Sequence, residues 1–310
     1  MKTAIVTGSA GFIGGHIAAR LLELGYKVVG IDNMRSGLQS TVDMHIESGN
    51  FIPKYIDITS EEIGAIFERV RPDFVFHLAA IPGVAVSVEN PVFSSFTNIN
   101  GTVNLLKAAV NTGVSRFVFS SSSSVYGGLG CLPTDETCAL HPKSPYALQK
   151  KVGEEYCKLF SSEYGLDTVC LRYFNVFGPR QRADSAYAAA ISSFCKSIKE
   201  DERPVIYGDG EQSRDFCFIK NVVNANILAA ESKGKFSGDV FNVGSGNNVT
   251  INNVCRELKT KPPVYDEARP GDVRYSCADI SKACSVLGYN PVYSREDGLR
   301  ETLEWYLGYK

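Results

Sequence analysis

The chain begins with apolar runs separated by a glycine-rich turn. Residues 4–6 form a short apolar run, and residues 28–31 form a second one. Between them, apolar positions recur every three or four residues, which is the spacing of one face of a helix. These positions are Ile13, Ile17, Leu21 and Leu24. The pattern therefore predicts a strand, a helix and a second strand, which together make one βαβ unit.

Four more apolar runs indicate strands, and helical segments separate them. The predicted strands are residues 51–56, 74–77, 117–120 and 168–171. Strands that alternate with helices form a parallel sheet with helices on both faces. The predicted fold class is therefore α/β, with a doubly wound parallel sheet.

Two apolar stretches have features of targeting or membrane segments. The N-terminal run carries a lysine, as a signal peptide does, but four glycines and His16 interrupt it. Residues 75–88 contain His77 and the pair Pro82-Gly83, and they are too short to span a bilayer. We expect neither a signal peptide nor a membrane-spanning helix.

Composition narrows the class of partner. The 310 residues suffice for one large α/β domain or two modest ones. The 32 basic and 34 acidic residues give a net charge of -2 without long runs of one sign, so we expect no nucleic acid and no membrane partner. The nine cysteines are scattered along the chain and form no CxxC pair, so we expect neither a metal site nor a disulfide framework. Reduced thiols favour a cytoplasmic protein that binds a small molecule.

The glycine-rich turn has the spacing of a dinucleotide site. Gly8, Gly11 and Gly14 follow the first strand, where residues without Cβ allow a tight turn and a close approach to a pyrophosphate. Asp32 closes the second strand, where a carboxylate binds ribose hydroxyls and repels a 2′-phosphate. The pattern therefore predicts NAD over NADP, although Arg35 lies nearby.

Asp57 ends the third predicted strand, and two roles stay open for it. Its carboxylate can accept a hydrogen bond from the adenine amino group. It can equally cap the helix that starts near Ser60.

A second candidate site lies on a predicted helix. Ser144 and Pro145 are a typical helix start, and Tyr146 and Lys150 then lie one turn apart on the same face. An ammonium group near a phenol favours the phenolate, so we expect Lys150 to lower the pKa of Tyr146 and make it a usable base.

The stretch "FSSSSSVYGG" at residues 119–128 follows a buried strand. Polar residues at such strand ends are typical of active sites in open α/β sheets, so we interpret this tract as part of a site and not as a linker. The residues alone leave open which serine acts.

Almost the whole length of the chain resembles the extended short-chain dehydrogenase/reductase proteins, and within them the nucleotide-sugar epimerases of the UDP-glucose 4-epimerase type. The resemblance rests on the motifs TGSAGFIG, DN at 32, HLAA at 77, NINGT at 98, SSSSVYG, SPYALQK, LRYFNVFGP, GDGEQSRDF and RPGDVRYSCADISKA.

The resemblance implies a Rossmann-type sheet with a smaller α/β substrate-binding domain. Residues 1–175 would form the NAD-binding domain, and residues 176–310 would mainly bind the nucleotide sugar, with a segment near 239–246 returning to the main sheet. It also implies a reaction in which C4 of a UDP-hexose is oxidised to a 4-keto intermediate and reduced again on the other face. Ser122, three residues before Val125, would act with Tyr146 and Lys150 in catalysis.

The same resemblance assigns binding residues. Cofactor contacts are expected from Gly8, Gly11, Phe12, Ile13, Gly14, Asp32, Asn33, Asp57, Ile58, Leu78, Ala79, Ala80, Tyr146, Lys150 and Tyr173. Substrate contacts are expected from Ser122, Ser123, Ser124, Tyr146, Asn175, Tyr207, Arg214, Arg269, Asp272 and Ser276. His77 is expected to be structural, and a homodimer is expected through the helices after Asn90 and Pro145.

Several residues indicate which reaction of the nucleotide-sugar epimerases and their relatives this chain would catalyse. Related dehydratases and decarboxylases carry acidic residues just before VYG, where this chain has Ser123 and Ser124. A serine cannot supply acid/base chemistry at neutral pH, which argues against both. A protein that only binds NAD would be expected to lose Tyr146 or Lys150, yet both are present.

Ser276 lies at the position that resembles a gatekeeper beside the sugar 2-substituent, where a tyrosine would narrow the space. A small residue leaves room for an acetamido group, so the resemblance favours UDP-N-acetylglucosamine and UDP-N-acetylgalactosamine. Removal of a clash adds no attraction, so UDP-glucose remains an alternative, as does a UDP-uronic acid.

Overall fold

The computed structural model describes residues 1–128, 132–183, 189–268 and 273–309. Numbered along the chain, the strands are β1 Thr3–Thr7, β2 Lys27–Asp32, β3 Phe51–Tyr55, β4 Phe74–His77, β5 Arg116–Ser122, β6 Thr168–Tyr173, β7 Val176–Phe177, β8 Val205–Tyr207, β9 Ser213–Arg214, β10 Cys217–Phe218, β11 Asp239–Val243, β12 Val249–Thr250 and β13 Val264–Asp266.

Twelve α-helices separate these strands in the described ranges. They are α1 Phe12–Glu23, α2 Gln39–Ile46, α3 Glu62–Val70, α4 Val84–Glu89, α5 Pro91–Ser95, α6 Gly101–Thr112, α7 Pro145–Tyr164, α8 Ala190–Lys199, α9 Ile219–Glu231, α10 Ile251–Glu257, α11 Ser281–Leu287 and α12 Arg295–Leu307. A π-helical turn, Phe96–Asn100, joins α5 to α6, and a 3₁₀ turn, Ser123–Tyr126, follows β5.

Seven strands form one sheet in the order β11-β6-β5-β4-β1-β2-β3. The pairs β1–β2, β1–β4, β2–β3 and β4–β5 are parallel. Successive residues of β1, from Ala4 to Val6, have no exposed surface, because both faces of the sheet are covered. The predicted α/β class with a parallel Rossmann-type sheet is confirmed.

The strand order places the predicted dinucleotide site. The chain moves outward through β2 and β3 on one side of β1 and through β4, β5 and β6 on the other. The carboxyl ends of β1 and β4 therefore lie at the point where the order reverses, which is where ligands bind in open α/β sheets. β11, residues Asp239–Val243, occupies the edge beside β6.

The chain divides into two compact units. The first unit comprises Met1–Val125, Pro142–Arg172 and Val223–Phe241. The second unit comprises Tyr126–His141, Tyr173–Val222 and Asn242–Lys310, and it contains three two-stranded sheets, β7–β10, β9–β12 and β8–β13. None of the helices in the described ranges is long and apolar enough to cross a membrane.

Candidate active site

The turn after β1 requires its glycines. Gly8 has a φ of +69°, and a Cβ atom there would lie 2.9 Å from the backbone nitrogen of Ala79. A Cβ atom at Gly14 would lie 2.2 Å from the carbonyl oxygen of Gly8. α1 then begins at Phe12 without a side-chain cap, so the N–H groups of its first turn, which includes Ile13, are left for an anion. This turn fits a pyrophosphate.

The carboxylate of Asp32 is fixed at the end of β2. Its two oxygens accept the backbone N–H groups of Ala10, at 3.0 Å, and Met34, at 2.9 Å. The adjacent Asn33 donates from Nδ2 to Asp57 at 2.7 Å. Asp32, predicted to bind the ribose, and Asn33, a second predicted cofactor residue, therefore lie together at the carboxyl end of β2.

Arg35 and Asp57 also take defined positions near Asp32. The Arg35 guanidinium stacks on the Phe93 ring, 4.3 Å from its centroid. Asp57 Oδ1 accepts hydrogen bonds from Thr59 N at 2.9 Å and Thr59 Oγ1 at 2.7 Å. Burial raises the pKa of this carboxyl, but the bonds from Thr59 and Asn33 outweigh burial and leave the pKa below its usual value. These bonds order the turn after β3, but none of them caps α3, which begins at Glu62 without a side-chain cap, so both roles predicted for Asp57 stay predictions.

The loop after β4 is held by one hydroxyl. Thr7 Oγ1 accepts the backbone N–H groups of Leu78, at 3.2 Å, and Ala79, at 3.1 Å. Ala80 follows in the same loop. The carbonyl oxygen of Ile58 accepts from Asn104 Nδ2 at 2.8 Å. The predicted cofactor residues of these loops therefore have fixed backbones.

His77, the last residue of β4, is held by two hydroxyl groups, and these contacts define its tautomer. Its Nδ1 lies 2.9 Å from Thr7 Oγ1, and its Nε2 lies 2.9 Å from Thr102 Oγ1. The single hydroxyl proton of Thr102 goes to the carbonyl oxygen of Asn98, at 2.7 Å. Thr102 must therefore accept from the imidazole, which carries its proton on Nε2. Burial, with help from the nearby Lys150 charge, lowers the pKa of His77 to about 3.

The Ser122 side chain lies next to the Tyr146 hydroxyl and interacts with it. Ser122 is the last residue of β5, and Tyr146 is the second residue of α7. Burial raises the pKa of Tyr146 to about 12, while the interaction with Ser122 lowers it in part. The raised pKa differs from the lowered pKa expected from the sequence, because removal of the phenol from water outweighs the favourable interactions of the phenolate.

Lys150 lies one turn after Tyr146 and is only 4% exposed. Its Nζ donates to the carbonyl oxygen of Ser120 at 2.7 Å, and lies 5.8 Å from the Tyr146 ring centroid and 5.1 Å from that of Phe119. Burial lowers the pKa of Lys150 to about 8, while Glu154 acts in the opposite direction. The ammonium is therefore anchored to the strand that carries Ser122.

A buried ion pair lies one turn further along α7. Glu154 accepts from Arg172 Nε at 2.9 Å and from Arg172 Nη2 at 2.7 Å, and the Ser121 hydroxyl also donates to it. The side chains of Arg172 and Glu154 are 4% and 6% exposed. This bidentate pair joins α7 to β6 next to Lys150. Sequence reasoning missed it, because the two charges are distant in the chain.

The start of α7 is capped from two directions. Ser144 Oγ accepts from the N–H of Ala147 at 3.1 Å, as the helix-start pattern predicts. The N–H of Tyr146 donates to Ser87 Oγ at 3.0 Å. Ser87, in α4, has no exposed surface and was not predicted. Its hydroxyl fixes the backbone of the candidate base.

Ser123 and Ser124 form the 3₁₀ turn after β5. The N–H of Ser124 donates to Ser122 Oγ at 3.2 Å. The Ser124 hydroxyl is buried and has no hydrogen-bond partner among the described residues. An unsatisfied buried hydroxyl is uncommon, and its position beside Ser122 fits the predicted contact with a polar substrate.

In the second unit, three predicted substrate residues surround β9. Ser213 accepts the N–H of Ser276 at 3.1 Å through its carbonyl oxygen, which also accepts from Arg214 Nη1 at 2.9 Å. The carbonyl oxygen of Tyr207 accepts from Gln212 Nε2 at 2.7 Å. Ser276, Arg214 and Tyr207 are thus connected through residues 212–213.

Asn175 joins the same region through Asp215. Its Nδ2 donates to the carbonyl oxygen of Asp215 at 3.2 Å. The buried Asp215 carboxylate accepts the N–H groups of Ser245, Gly246 and Ala278, and so orders the chain two residues beyond Ser276. Burial raises the pKa of this carboxyl.

Tyr173 ends β6 and is buried. Arg269 and Asp272 lie outside the described residues.

The glycine turn after β1, the fixed carboxylate of Asp32 and the Ser122, Tyr146 and Lys150 set of β5 and α7 are the arrangement expected of a dinucleotide-dependent protein of the short-chain dehydrogenase type. Residues 4–244 match the sequence profile of the NAD dependent epimerase/dehydratase family. The chain belongs to this family, and the predicted family and the predicted cofactor NAD are confirmed.

Solved structures of UDP-sugar 4-epimerases are similar to this chain over its whole length. One is a UDP-N-acetylglucosamine 4-epimerase from Methanobrevibacter ruminantium M1 in complex with UDP-N-acetylmuramic acid, with 41% identity, a TM-score of 0.93, and coverage of 100% of this chain and 99% of that chain. Another is a UDP-glucose 4-epimerase from Thermotoga maritima with UDP-glucose, with 40% identity, a TM-score of 0.92, and coverage of 98% of each chain. A UDP-glucuronic acid 4-epimerase from Bacillus cereus, solved with NAD, has 32% identity, a TM-score of 0.91, and coverage of 99% of each chain.

Proposed function

We propose that the protein is an isomerase that inverts C4 of a UDP-hexose and that its preferred pair is UDP-N-acetylglucosamine and UDP-N-acetylgalactosamine. The proximity of the Ser122 side chain to the Tyr146 hydroxyl carries the reaction type, because two neighbouring hydroxyl groups can bind one sugar oxygen. The relatives with 41% and 40% identity are both UDP-sugar 4-epimerases.

NAD, when bound, supplies reversible hydride transfer. The glycine turn at Gly8 would hold its pyrophosphate, and Asp32 its adenosine ribose. Lys150 would bind the nicotinamide ribose from its anchor on Ser120, where the ammonium also stabilises a phenolate by its charge.

Tyr146 takes the proton of the sugar 4-hydroxyl and later returns one. Without bound ligands, burial raises the pKa of the Tyr146 phenol to about 12. Formation of the phenolate at neutral pH therefore requires stabilisation by a nearby positive charge. Ser122 shares the proton with Tyr146 and orients the sugar oxygen. The unsatisfied Ser124 hydroxyl supports an additional contact with the sugar.

The second unit is proposed to hold the UDP portion. Arg214 supplies a guanidinium for the diphosphate, since planar guanidinium groups form forked bonds with phosphate oxygens. Asn175 and Tyr207 are proposed for diphosphate and uracil contacts. Arg269 and Asp272 are proposed for diphosphate and ribose contacts, and both rest on their sequence motif.

The choice of sugar rests on Ser276. Its backbone is bonded to Ser213 next to the proposed diphosphate residue Arg214, and its side chain is small and only partly buried. A side chain of this size tolerates an acetamido group at C2. The relative with 41% identity is a UDP-N-acetylglucosamine 4-epimerase, which supports the same choice.

A side-by-side assay tests the proposal. Purified protein, without added reductant, is incubated with UDP-N-acetylglucosamine, UDP-glucose or UDP-glucuronic acid, and C4 epimers are followed by NMR. Preferential conversion of the acetylated sugar supports the proposal. Conversion of UDP-glucose or UDP-glucuronic acid alone would keep the reaction and overturn the substrate.

We propose a homodimer through α5 and α7. α5 packs against α7. Exposed apolar side chains on α5, the π-helical turn and α7 include Val92, Phe96 and Leu148, exposed by 84%, 52% and 51%. Such surfaces are typical of protein interfaces. Light scattering should give twice the chain mass, and Val92→Lys should lower it.

The protein is proposed to act in the cytoplasm. All eight cysteines in the described residues are free thiols, which suits a reducing compartment.

A further inference from the structure

Four polar residues form a hydrogen-bonded cluster at α7, of which three are buried and one, Ser95, is partly exposed. They are Gln149, Asn98, Ser94 and Ser95, named here the Gln149 cluster. Gln149 is 2% exposed, Ser94 0% and Asn98 4%. Gln149 directly precedes Lys150 and follows Tyr146 by three residues, so it lies on the helix turn between these two residues.

The hydrogen bonds of the cluster allow a single arrangement. The N–H of Ile81 donates to Asn98 Oδ1 at 2.7 Å, so Nδ2 is the donor end of this amide. Asn98 Nδ2 donates to the carbonyl oxygen of Ile81 at 3.1 Å and to Gln149 Oε1 at 2.7 Å. Gln149 Nε2 must then donate, and it does so to Ser94 Oγ at 2.9 Å and Ser95 Oγ at 3.0 Å. Every proton of both amides is used.

The cluster connects two parts of the proposed active site. Ile81 directly follows the cofactor loop at Leu78–Ala80, and Gln149 lies on the helix of the proposed base. Asn98 belongs to the π-helical turn Phe96–Asn100, whose extra residue per turn is a known device for placing side chains at functional sites. The loop and the helix are therefore bonded to the same two amides.

We infer that Gln149 is a positioning residue, which sets the place of Tyr146 and Lys150 relative to the cofactor loop. The inference rests on the proposed function, since it concerns the groups that act at the sugar. Gln149 touches neither the Tyr146 hydroxyl nor the Lys150 ammonium in any bond of the cluster, and its effect passes through the backbone of α7.

The first test replaces Gln149 by methionine, which has a similar length and no amide. Gln149→Met is expected to lower kcat for the preferred UDP-sugar about 10- to 100-fold, with KM within about twofold, because the binding groups stay and the reacting groups shift. Glu155→Met, at an exposed position of the same helix, is the matched control and should keep kcat within about twofold. An equal kcat in both variants would overturn the inference.

Ser94 and Ser95 provide an independent test. In Ser94→Ala or Ser95→Ala one acceptor for the Gln149 amide remains, so each should lower kcat by less than about threefold. The double variant leaves both protons unpaired and should approach Gln149→Met. If the loss of kcat in the double variant equals the product of the losses in the two single variants, the two serines do not share the role of accepting from Gln149. A purely structural role would lower Tm in these variants without a loss of kcat in the double variant beyond that product.

A spectroscopic measurement separates this inference from the proposed function. With [Cζ-¹³C]tyrosine, the NMR signal of Tyr146, assigned by its loss in Tyr146→Phe, should move in Gln149→Met and stay in Glu155→Met. If the wild-type protein converts no UDP-sugar, the proposed function is wrong. The NMR signal of Tyr146 would still show whether Gln149 positions this residue. Superimposable Tyr146 signals in both variants would overturn the positioning even if turnover fell.

Discussion

Lys150 donates to the carbonyl oxygen of Ser120 at 2.7 Å, and this bond ties the ammonium to the strand that ends in Ser122. Strand β5 therefore carries Ser122, which lies next to Tyr146, and also binds the ammonium of Lys150, one helical turn after Tyr146. The Lys150 Nζ lies 5.8 Å from the centroid of the Tyr146 ring, which is within the range of a cation–π contact. The relative positions of Ser122, Tyr146 and Lys150 therefore depend on the packing of β5 against α7.

Replacement of Tyr146 by phenylalanine removes the proposed base and keeps the ring. Turnover should fall by about 10²- to 10⁴-fold, the usual contribution of general acid–base catalysis, while NAD and UDP-sugar binding stay within about threefold. Initial rates and calorimetric titrations measure the two quantities. Tyr164→Phe, at the far end of α7, is the control and should keep full activity. Near-normal turnover in Tyr146→Phe would remove it as the base.

Enlargement of Ser276 tests the gatekeeper role. Ser276→Tyr should lower kcat/KM for UDP-N-acetylglucosamine at least about tenfold more than for UDP-glucose, because the phenol would fill the space of the acetamido group. Ser276→Ala is the control for loss of the hydroxyl and should preserve the preference. An equal loss for both sugars in the tyrosine variant would show that Ser276 does not distinguish them.

Removal of the charge on Glu154 breaks its buried ion pair with Arg172, in which the two side chains are 6% and 4% exposed. Glu154→Gln should therefore lower the free energy of unfolding by about 3–5 kcal/mol, as measured by urea denaturation. Glu200→Gln breaks the exposed pair with Lys196, where the side chains are 44% and 45% exposed, and should cost less than about 1 kcal/mol. Similar losses in the two variants would contradict a stabilising role of the buried pair.

His77 predicts a pH dependence of stability. Its pKa is about 3 in the folded protein and about 6.5 in an unfolded chain, so the unfolded state binds the additional proton between these values. This contribution to stability is fully present above about pH 6.5 and is lost by about 1.4 kcal/mol per pH unit below it. The ¹⁵N shifts of His77 should show a neutral ring protonated at Nε2 from pH 7 to pH 5. A protonation midpoint in that range would contradict the buried network.

The parts of the fold that depend on local pattern could be predicted from the sequence. Strand β4 was predicted with its observed bounds, Phe74–His77, because an apolar run between polar turns leaves little freedom. The turn at Gly8 and the pairing of Tyr146 with Lys150 follow from spacing within one turn or one helix. The choice of Ser122 among five serines came from the family motif, and its position next to the Tyr146 hydroxyl supports that choice.

Relationships between distant segments could not be predicted. The Arg172–Glu154 pair and the bond between Gln149 and Asn98 depend on how β6, α7 and the π-helical turn pack. The direction of the Tyr146 pKa shift depends on burial of the hydroxyl, which spacing along a helix does not reveal. Polar residues in the motifs NINGT and SPYALQK were the available signal for the Gln149 cluster, but their partners were not evident.

Retention of the C4 hydrogen tests the proposed reaction most directly. UDP-N-acetylglucosamine labelled with deuterium at C4 is incubated with the purified protein in ordinary water, and the 4-epimer is analysed by NMR and mass spectrometry. UDP-N-acetylgalactosamine that keeps deuterium at C4 is the expected result, because the hydrogen leaves and returns within one active site. Protium at C4 of the product, or no 4-epimer from this sugar, UDP-glucose or UDP-glucuronic acid, would contradict it.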